Sequence, residues 1–323
     1  MMELSEMSTL RTNRTALCPL NEDYKHILLP LAYSVVFLLG LGLNASVLWL
    51  SCCRTKEWTC STIYLVNLAV ADLLHVCSLP LLILNYAMRD KWPFGTHVCK
   101  LVRFLFYANL YGSILFLTCV SVHRFLGVCY PIRSINYRTR KFAVIGTTIT
   151  WILVIIELLP TLIFAHTGTV NNQTVCYDLT SPDKFSSYFA YGMMLTVSGF
   201  LVPFCIILLC CCLMIKSLIQ SNESCIVGTP LRTKAIRTVL LVFALFAVSF
   251  VPFHITRTVY LIVRVYFTGN CPLLQGVSVS YKIWRPLVSF NSCINPLLYF
   301  LTGNKNRIRF MNELRNNKVS PPP

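Results

Sequence analysis

The sequence predicts an all-α integral membrane protein, a seven-transmembrane helix bundle followed by a short amphipathic eighth helix. Three observations carry this expectation. Hydrophobic residues make up 55% of the 323 residues and charged residues only 12%, with a mean hydropathy of +0.63; a soluble domain carries about twice that charge. Apolar runs of bilayer-crossing length, about 20 residues, recur seven times. A segment alternating basic and apolar residues, Lys305–Met311, follows the last of them. The same numbers exclude a soluble enzyme, a disordered chain and a coiled coil. The net charge of +16 does not point to a nucleic-acid polymer, because the basic residues sit between apolar runs and not on one polar face. Membrane topology and anionic partners account for them better. The sequence holds no G-x-G-x-x-G, no G-x-x-x-x-G-K-[ST] phosphate loop, no H-E-x-x-H and no visible nucleophile–base pair. No enzyme activity and no cofactor are expected.

The first span, Ile27–Leu50, has no charge at all. Ser61–Asn85 carries Asp72 near its middle, Phe104–Val122 is uncharged, and Phe142–Phe164 carries only Glu157. Phe185–Ile215 is long and uncharged, Thr238–Thr256 is interrupted only by His254, and Gln275–Thr302 has Lys282 and Arg285 in its first part. The chain thus divides into an extracellular tail, residues 1–26, a receptor-sized bundle, residues 27–302, and a cytoplasmic amphipathic helix with a short tail, residues 303–323. Prolines fall inside the runs at Pro80, Pro160, Pro203, Pro252, Pro286 and Pro296. In water they would break helices, whereas in a bundle they kink them where neighbours re-satisfy the backbone. The first ten residues have neither a basic region nor an apolar core, so the first span is expected to insert itself. No internal repeat is evident, which counts against a carrier built from duplicated halves.

An odd number of spans puts the termini on opposite sides. With the N-terminus outside, 16 Lys/Arg fall at the inner ends and 12 at the outer ones, a small margin in favour of that orientation. Cysteine gives a stronger reason. Of 16 cysteines, four fall on the proposed outer side: Cys18, Cys99, Cys176 and Cys271. Four cysteines in an oxidising compartment allow two bridges in three pairings. The expected pairing is Cys99–Cys176 with Cys18–Cys271, each tying a loop or tail to the top of a helix. The glycosylation sequons at Asn13 and Asn172 lie on the same side, while the matches at Asn44 and Asn222 fall in a span and inside.

Ionisable groups within a membrane are costly and face the bundle interior. Asp72 is the clearest, at a depth where Asn44, Asn109, Ser113, Asn291 and Asn295 join it in one polar cluster. That cluster is either a hydrogen-bonded packing centre or a sodium-binding switch site. Glu157 lies on a peripheral span and is expected to be structural. At the inner ends, His123-Arg124-Phe125 closes the third span and Asn295-Pro296-Leu297-Leu298-Tyr299 the seventh, with Phe250 one turn from the kink at Pro252 in the sixth.

These motifs, in this order, resemble a class A (rhodopsin-like) G-protein-coupled receptor over the whole chain. Asn44, Leu68–Asp72, Trp151, Pro203 and Asn295–Tyr299 stand at the family's landmarks, and His123-Arg124-Phe125 stands where its D-R-Y lies. Trp92–Gly95, Cys99–Phe104, Cys176–Asp178, His254–Arg257 and Tyr281–Leu287 resemble the metabotropic nucleotide receptors, the purinoceptors, and Leu79–Arg133 is most similar to the branch preferring uracil nucleotides. The resemblance implies a plasma-membrane receptor with an extracellular N-terminus. Its ligand would be an extracellular nucleotide, UTP or UDP first and ATP next, and it would signal through Gq, phospholipase C and calcium. His123 in place of the acidic residue removes one restraint on Arg124 and predicts basal activity or pH sensitivity. Only Thr302 and Ser320 offer hydroxyls after Tyr299, which predicts weak arrestin engagement.

The residues support an anionic ligand independently of the name. Arg103 and Tyr107 share a face of the third span, His254 and Arg257 a face of the sixth, and Lys282 and Arg285, beside Tyr281, a face of the seventh. Arg forks suit phosphate oxygens, and Tyr33, Phe106, Tyr107 and Tyr111 offer walls for a base or ribose. Asp178, two residues past Cys176, is expected to pair with one of these arginines when the site is empty. Lys91, Lys100 and Arg264 are expected to snorkel to headgroups. Receptors of the same fold for a lipid phosphate or another anion, and a seven-span nucleotide carrier, remain the alternatives. A carrier would need charges continuing through the midplane, where Asp72 is the main one.

Overall fold

The computed structural model describes residues 22–302 apart from 56–57, 171, 222–228 and 268. Each apolar run is helical and longer than its uncharged core. Lys25–Trp49 continues through a π-helical turn, Leu50–Arg54; Cys60–Ala87, Gly95–Cys129 and Arg140–Leu158 form the second, third and fourth spans. Phe185–Thr196 passes through a second π turn, Val197–Leu201, into Val202–Ser221, and Thr229–Tyr266 forms the sixth span. Among the described residues, six helices are long and apolar enough to cross a membrane. The expected seventh run, Gln275–Thr302, starts earlier and is broken: its helices are Cys271–Ser289 and Asn291–Thr302, with Phe290 between them. The amphipathic segment Lys305–Met311, Cys18, Asn13 and Ser320 lie outside the described residues.

The fourth span rests on the second and third, the seventh closes the ring against the first, second and sixth, and the third runs through the centre against the second, fourth, fifth and sixth. The fourth span is peripheral, as its sequence suggests; Ile156, on its outer face, is 59% exposed. Such exposure of aliphatic side chains has a physical home in lipid.

Proline explains much of the local geometry. Pro296 has no N–H to give the carbonyl of Ser292 one turn earlier. Asn44 of the first span supplies the missing donor, its Nδ2 lying 2.7 Å from the Ser292 oxygen and 2.9 Å from that of Gly40. Pro203, which has no N–H for the carbonyl of Gly199 four residues earlier, similarly follows the π turn that holds Gly199. Trp151 ties the fourth span to the second through Nε1 to Asn67 Oδ1 at 3.0 Å.

At one end, strands β1 (Thr167–Val170) and β2 (Gln173–Cys176) form an antiparallel hairpin with Thr167 opposite Cys176. Asn172, exposed at its turn, has φ of 60°, a conformation Asn tolerates. The Cys99–Cys176 bridge, with Cα atoms 5.7 Å apart, fastens β2 to the top of the third span. Cys271 is also disulfide-bonded. Trp92 locks the neighbouring loop, its backbone N–H bonding Thr174 O and its indole bonding Gly95 O, both at 2.8 Å.

Replacing Asn44 by Ala leaves the buried Ser292 carbonyl unsatisfied, which costs about 1–3 kcal/mol. The detergent-solubilised protein is expected to melt several degrees lower, whereas Ala at Gly42, where an added Cβ meets nothing within 4 Å, leaves the melting temperature unchanged.

Candidate functional site

The hairpin delivers Asp178 into the mouth of the bundle, two residues beyond the disulfide. Expected to pair with one arginine, it pairs with two. Its Oδ1 accepts from Arg285 Nη1 and lies 2.9 Å from Arg103 Nη1. Arg103 also donates Nε to Tyr177 O at 3.1 Å and Nη2 to Cys176 O at 3.0 Å. The backbone around the disulfide therefore orients this guanidinium. Arg285 lies 4.7 Å from the Phe106 ring centroid and 3.4 Å from Tyr86 Oη. Burial pushes the Asp178 carboxyl up, but Arg285 and Arg103 outweigh it and hold it well below the usual carboxylate range.

Arg257, fully buried on the sixth span, has neutral partners. Nη2 donates to Tyr188 Oη at 2.9 Å, and Nη1 reaches Tyr111 Oη and Gly192 O at 3.4 Å each. The Tyr107 ring lies 5.6 Å away. Among the described residues no carboxylate pairs with it. Its neighbour His254 stacks on Phe200, with ring centroids 4.2 Å apart, and among the described residues neither ring nitrogen has a hydrogen-bond partner. Tyr281 stacks on Tyr260 at 5.3 Å, its hydroxyl also without a partner among the described residues.

A second ionic group closes the rim. Lys282 bonds Glu22 Oε1, and Lys25 bridges Glu22 and Asp90 at 2.6 Å each. Burial raises the Glu22 carboxyl, but Lys282 and Lys25 outweigh it and bring it below the usual value. Between the two groups lies a cavity of 310 Å³, bordered by Arg103, Asp178, Tyr281, Lys282, Glu22 and Arg264. Arg264, expected to snorkel, instead lies 5.0 Å from the Phe185 ring centroid and lines this cavity. Glu22, Lys25 and Tyr188 escaped the sequence reading. The first two fall at the edge of the tail, and Tyr188 in an uncharged run that reads as core.

The deeper polar cluster is partly as expected. Asp72 accepts from Asn109 at 2.7 Å and from Asn295 at 3.3 and 3.0 Å. Ser292, which the sequence did not single out, donates to Asn109 Oδ1 at 3.3 Å. Ser113 and Asn291 are buried, their oxygens without partners among the described residues and not bonded to Asp72, and Asn44 serves the Ser292 carbonyl instead. Oxygen donors of this kind fit a hard cation, although amide N–H groups already occupy the carboxylate. At the far end, Tyr299 accepts from Ser51 Oγ at 2.9 Å. His123 sits 6.3 Å from the Tyr64 ring, the Arg124 Nε has no partner among the described residues, and Phe250 packs on Phe246 at 5.0 Å. Glu157 keeps a peripheral place, with Ser198 hydrogen-bonded to its carboxylate. Its carbonyl accepts from Tyr191 at 3.0 Å, while its Oε2 has no partner among the described residues.

A seven-span bundle with a disulfide-tethered hairpin over a cationic mouth is the architecture of a rhodopsin-type receptor, and residues 43–299 match the family described as 7 transmembrane receptor (rhodopsin family). Purinoceptor 3 of Gallus gallus is 50% identical over 294 residues, covering 90% of this chain and 89% of the relative. Purinoceptor 6 of Homo sapiens is 47% identical, covering 90% of each chain. Purinoceptor 4 of Rattus norvegicus is 44% identical over 304 residues, covering 94% of this chain and 84% of the relative. The chain belongs to the purinoceptor family of rhodopsin-type receptors, as a multi-pass receptor of the cell surface.

Asn at Asp178 strands two buried guanidinium groups, a loss of about 3 kcal/mol or more. Because the Asp178 carboxyl is held low in the folded state, its contribution is complete above the unfolded carboxylate value of about 3.9 and is lost only as pH falls through the lower folded value. Asp178→Asn is expected to lower the melting temperature of the ligand-free protein equally at pH 5, 6.5 and 8. A deficit that appears only at one end of that range contradicts the pairing.

Proposed function

We propose that the protein is a receptor for extracellular nucleotides, with UDP and UTP preferred and ATP next, whose N-terminus and Cys99–Cys176 end face outward. The observation that carries this is the charge imbalance of the site. Three arginines, Arg103, Arg257 and Arg285, are at most 1% exposed, and among the described residues Asp178 is the carboxylate bonded among them, paired with Arg103 and Arg285. Buried charge without a partner is costly, so the site favours a ligand that brings several negative charges. A nucleoside di- or triphosphate brings roughly three or four, on oxygens that suit guanidinium forks. Tyr107, Tyr111, Tyr281 and His254 offer ring faces and unfilled polar atoms to the base and ribose.

The proposed mechanism is a population shift. The nucleotide displaces Asp178 from Arg103 and Arg285 and draws Arg257 toward its phosphates. The sixth span then pivots at Pro252, and Phe250 and Phe246, both on the inner side of the bend, move together away from Phe200 of the fifth span. At the inner end Tyr299 exchanges Ser51 for new partners, and Arg124, which has His123 and not an acid beside it, turns toward a heterotrimeric G protein, with Gq, phospholipase C and calcium as the output. Sodium at Asp72, with oxygens from Ser113, Asn291 and Asn295, would favour the resting arrangement. Signalling and not catalysis is the activity.

Calcium in transfected null cells, with UDP, UTP, ADP and ATP given separately under conditions that block interconversion, is expected to rise at micromolar uracil nucleotide. Arg257→Ala should lose roughly 30- to 1000-fold in potency, on the order of 2–4 kcal/mol, and Arg257→Lys should recover part of it. Choline in place of sodium should raise wild-type potency and leave Asp72→Asn unmoved. Silence to all four with the receptor at the surface, and a response to a lipid phosphate, would transfer the site to that ligand.

A further inference from the structure

The first span ends in a feature that the ligand site does not use. Its last turn, Leu50–Arg54, is π-helical and contains adjacent cysteines, Cys52 and Cys53, both free and both exposed. The remaining exposed free cysteines among the described residues are Cys77, Cys205 and Cys212. Cys77 lies within the second span five residues from Asp72, and Cys205 lies two residues past Pro203 in the fifth. Cys52 and Cys53 instead sit where the chain leaves the membrane, beside Arg54, whose guanidinium lies 5.3 Å from the Trp49 ring. Trp and Arg are the side chains that favour a membrane boundary. The two thiols are therefore at headgroup depth, where thiols beside a span are open to S-acylation.

The surface leading away from them suits a fatty chain. Leu38, Gly42, Ala45 and Trp49 form an exposed stripe one helical turn apart, continuing the line of Cys52 and Cys53. A Cβ built at Gly42 meets nothing within 4 Å, so the stripe has a shallow floor between larger ends. From Leu38 to Cys52 it runs about 21 Å along the helix. Neighbouring Ser51 faces the other way, is fully buried, and holds both Tyr299 Oη and the Trp58 indole at 2.9 Å each. The same short turn thus points one side at the protein's switch tyrosine and the other at lipid.

We infer that Cys52 and Cys53 are S-acylated by long-chain fatty acid, forming a membrane anchor at the inner end of the first span. The inference rests on the orientation proposed above, which places this turn in the cytosol. The cysteine sulfur attacks the thioester carbonyl of an acyl-coenzyme A, the new carbon–sulfur bond replaces the old one, and coenzyme A leaves with the cysteine's proton; no oxidant or reductant is consumed. The modification extends the lipid contact of the first span and holds the turn that carries Ser51 against the bilayer, independently of whether nucleotide is bound.

The test uses the full chain expressed in mammalian cells. After free thiols are blocked, hydroxylamine cleaves thioesters and a polyethylene-glycol maleimide adds mass at each released thiol. The wild type is expected to show hydroxylamine-dependent mass additions, reduced in Cys52→Ser and in Cys53→Ser and absent in the double variant, with Cys212→Ser unchanged. The double variant should still reach the surface and answer nucleotide, which shows that it folds. No mass addition in the wild type, or one that survives in the double variant or disappears in Cys212→Ser, overturns the assignment. A separate arm tests the orientation. In cells treated with an acylation inhibitor, a membrane-impermeant maleimide should reach Cys52 and Cys53 only after permeabilisation. Labelling of intact cells would put this turn outside and defeat the orientation itself, whereas protected thiols with no mass addition would defeat the acylation alone.

Discussion

Everything at the mouth of this bundle depends on keeping guanidinium groups in a place where water is scarce. Arg103, Arg257 and Arg285 are buried on three different spans, and each needs a partner fixed in advance, since a stranded charge there costs several kcal/mol. The protein meets this need with pieces of very different origin. The disulfide and the hairpin bring Asp178 and two backbone carbonyls to Arg103 and Arg285. The fifth span brings Tyr188 to Arg257, and the third brings Tyr111. The outer ion pairs of Glu22 with Lys25 and Lys282 then cover the cavity from the side of the tail. The mouth is thus held together by electrostatics that a polyanion can take over.

The same elements connect the mouth to the far end. Arg257 and Pro252 are five residues apart on one helix, so a pull on the guanidinium acts close to the residue where the helix bends most easily. Below the bend, Phe250 and Phe246 pack ring against ring toward Phe200, which also carries His254. One aromatic stack therefore touches both the ligand face and the packing that closes the inner end. On the opposite side, Asn44 repairs the backbone that Pro296 leaves open, and Tyr299 is held by Ser51. Both contacts join the seventh span to the first.

Much of this was legible in the sequence, for physical reasons. Apolar runs free of charge show where lipid must be, and cations placed at helical spacing showed which faces of the third, sixth and seventh spans look inward. The Cys99–Cys176 bridge was one of three pairings, and the structure has it. What the sequence concealed is pairing across space. Asp178 serves two arginines because the hairpin sets it between spans, which no spacing rule reports. Glu22 is isolated in the tail until the seventh span places Lys282 above it. Tyr188 and Ser292 carry no charge, and a hydroxyl in an apolar run gives no sign of whether it bonds its own helix or a neighbour. The break at Phe290 was hidden because Gln275–Thr302 reads as one span by length and hydropathy, which carries no mark of where the backbone ladder is interrupted.

The central claim is that Asp178 occupies, in the resting protein, the place that the ligand's phosphate takes. Equilibrium binding of UDP to purified receptor carrying Asp178→Asn tests this most directly. If the carboxylate must be displaced, its removal leaves Arg103 and Arg285 free for phosphate, and the affinity for UDP rises by about tenfold or more, roughly 1.4 kcal/mol. An affinity that is unchanged or weaker in a variant that still folds would contradict the claim, because Asp178 would then be a partner of the bound state or a bystander to it.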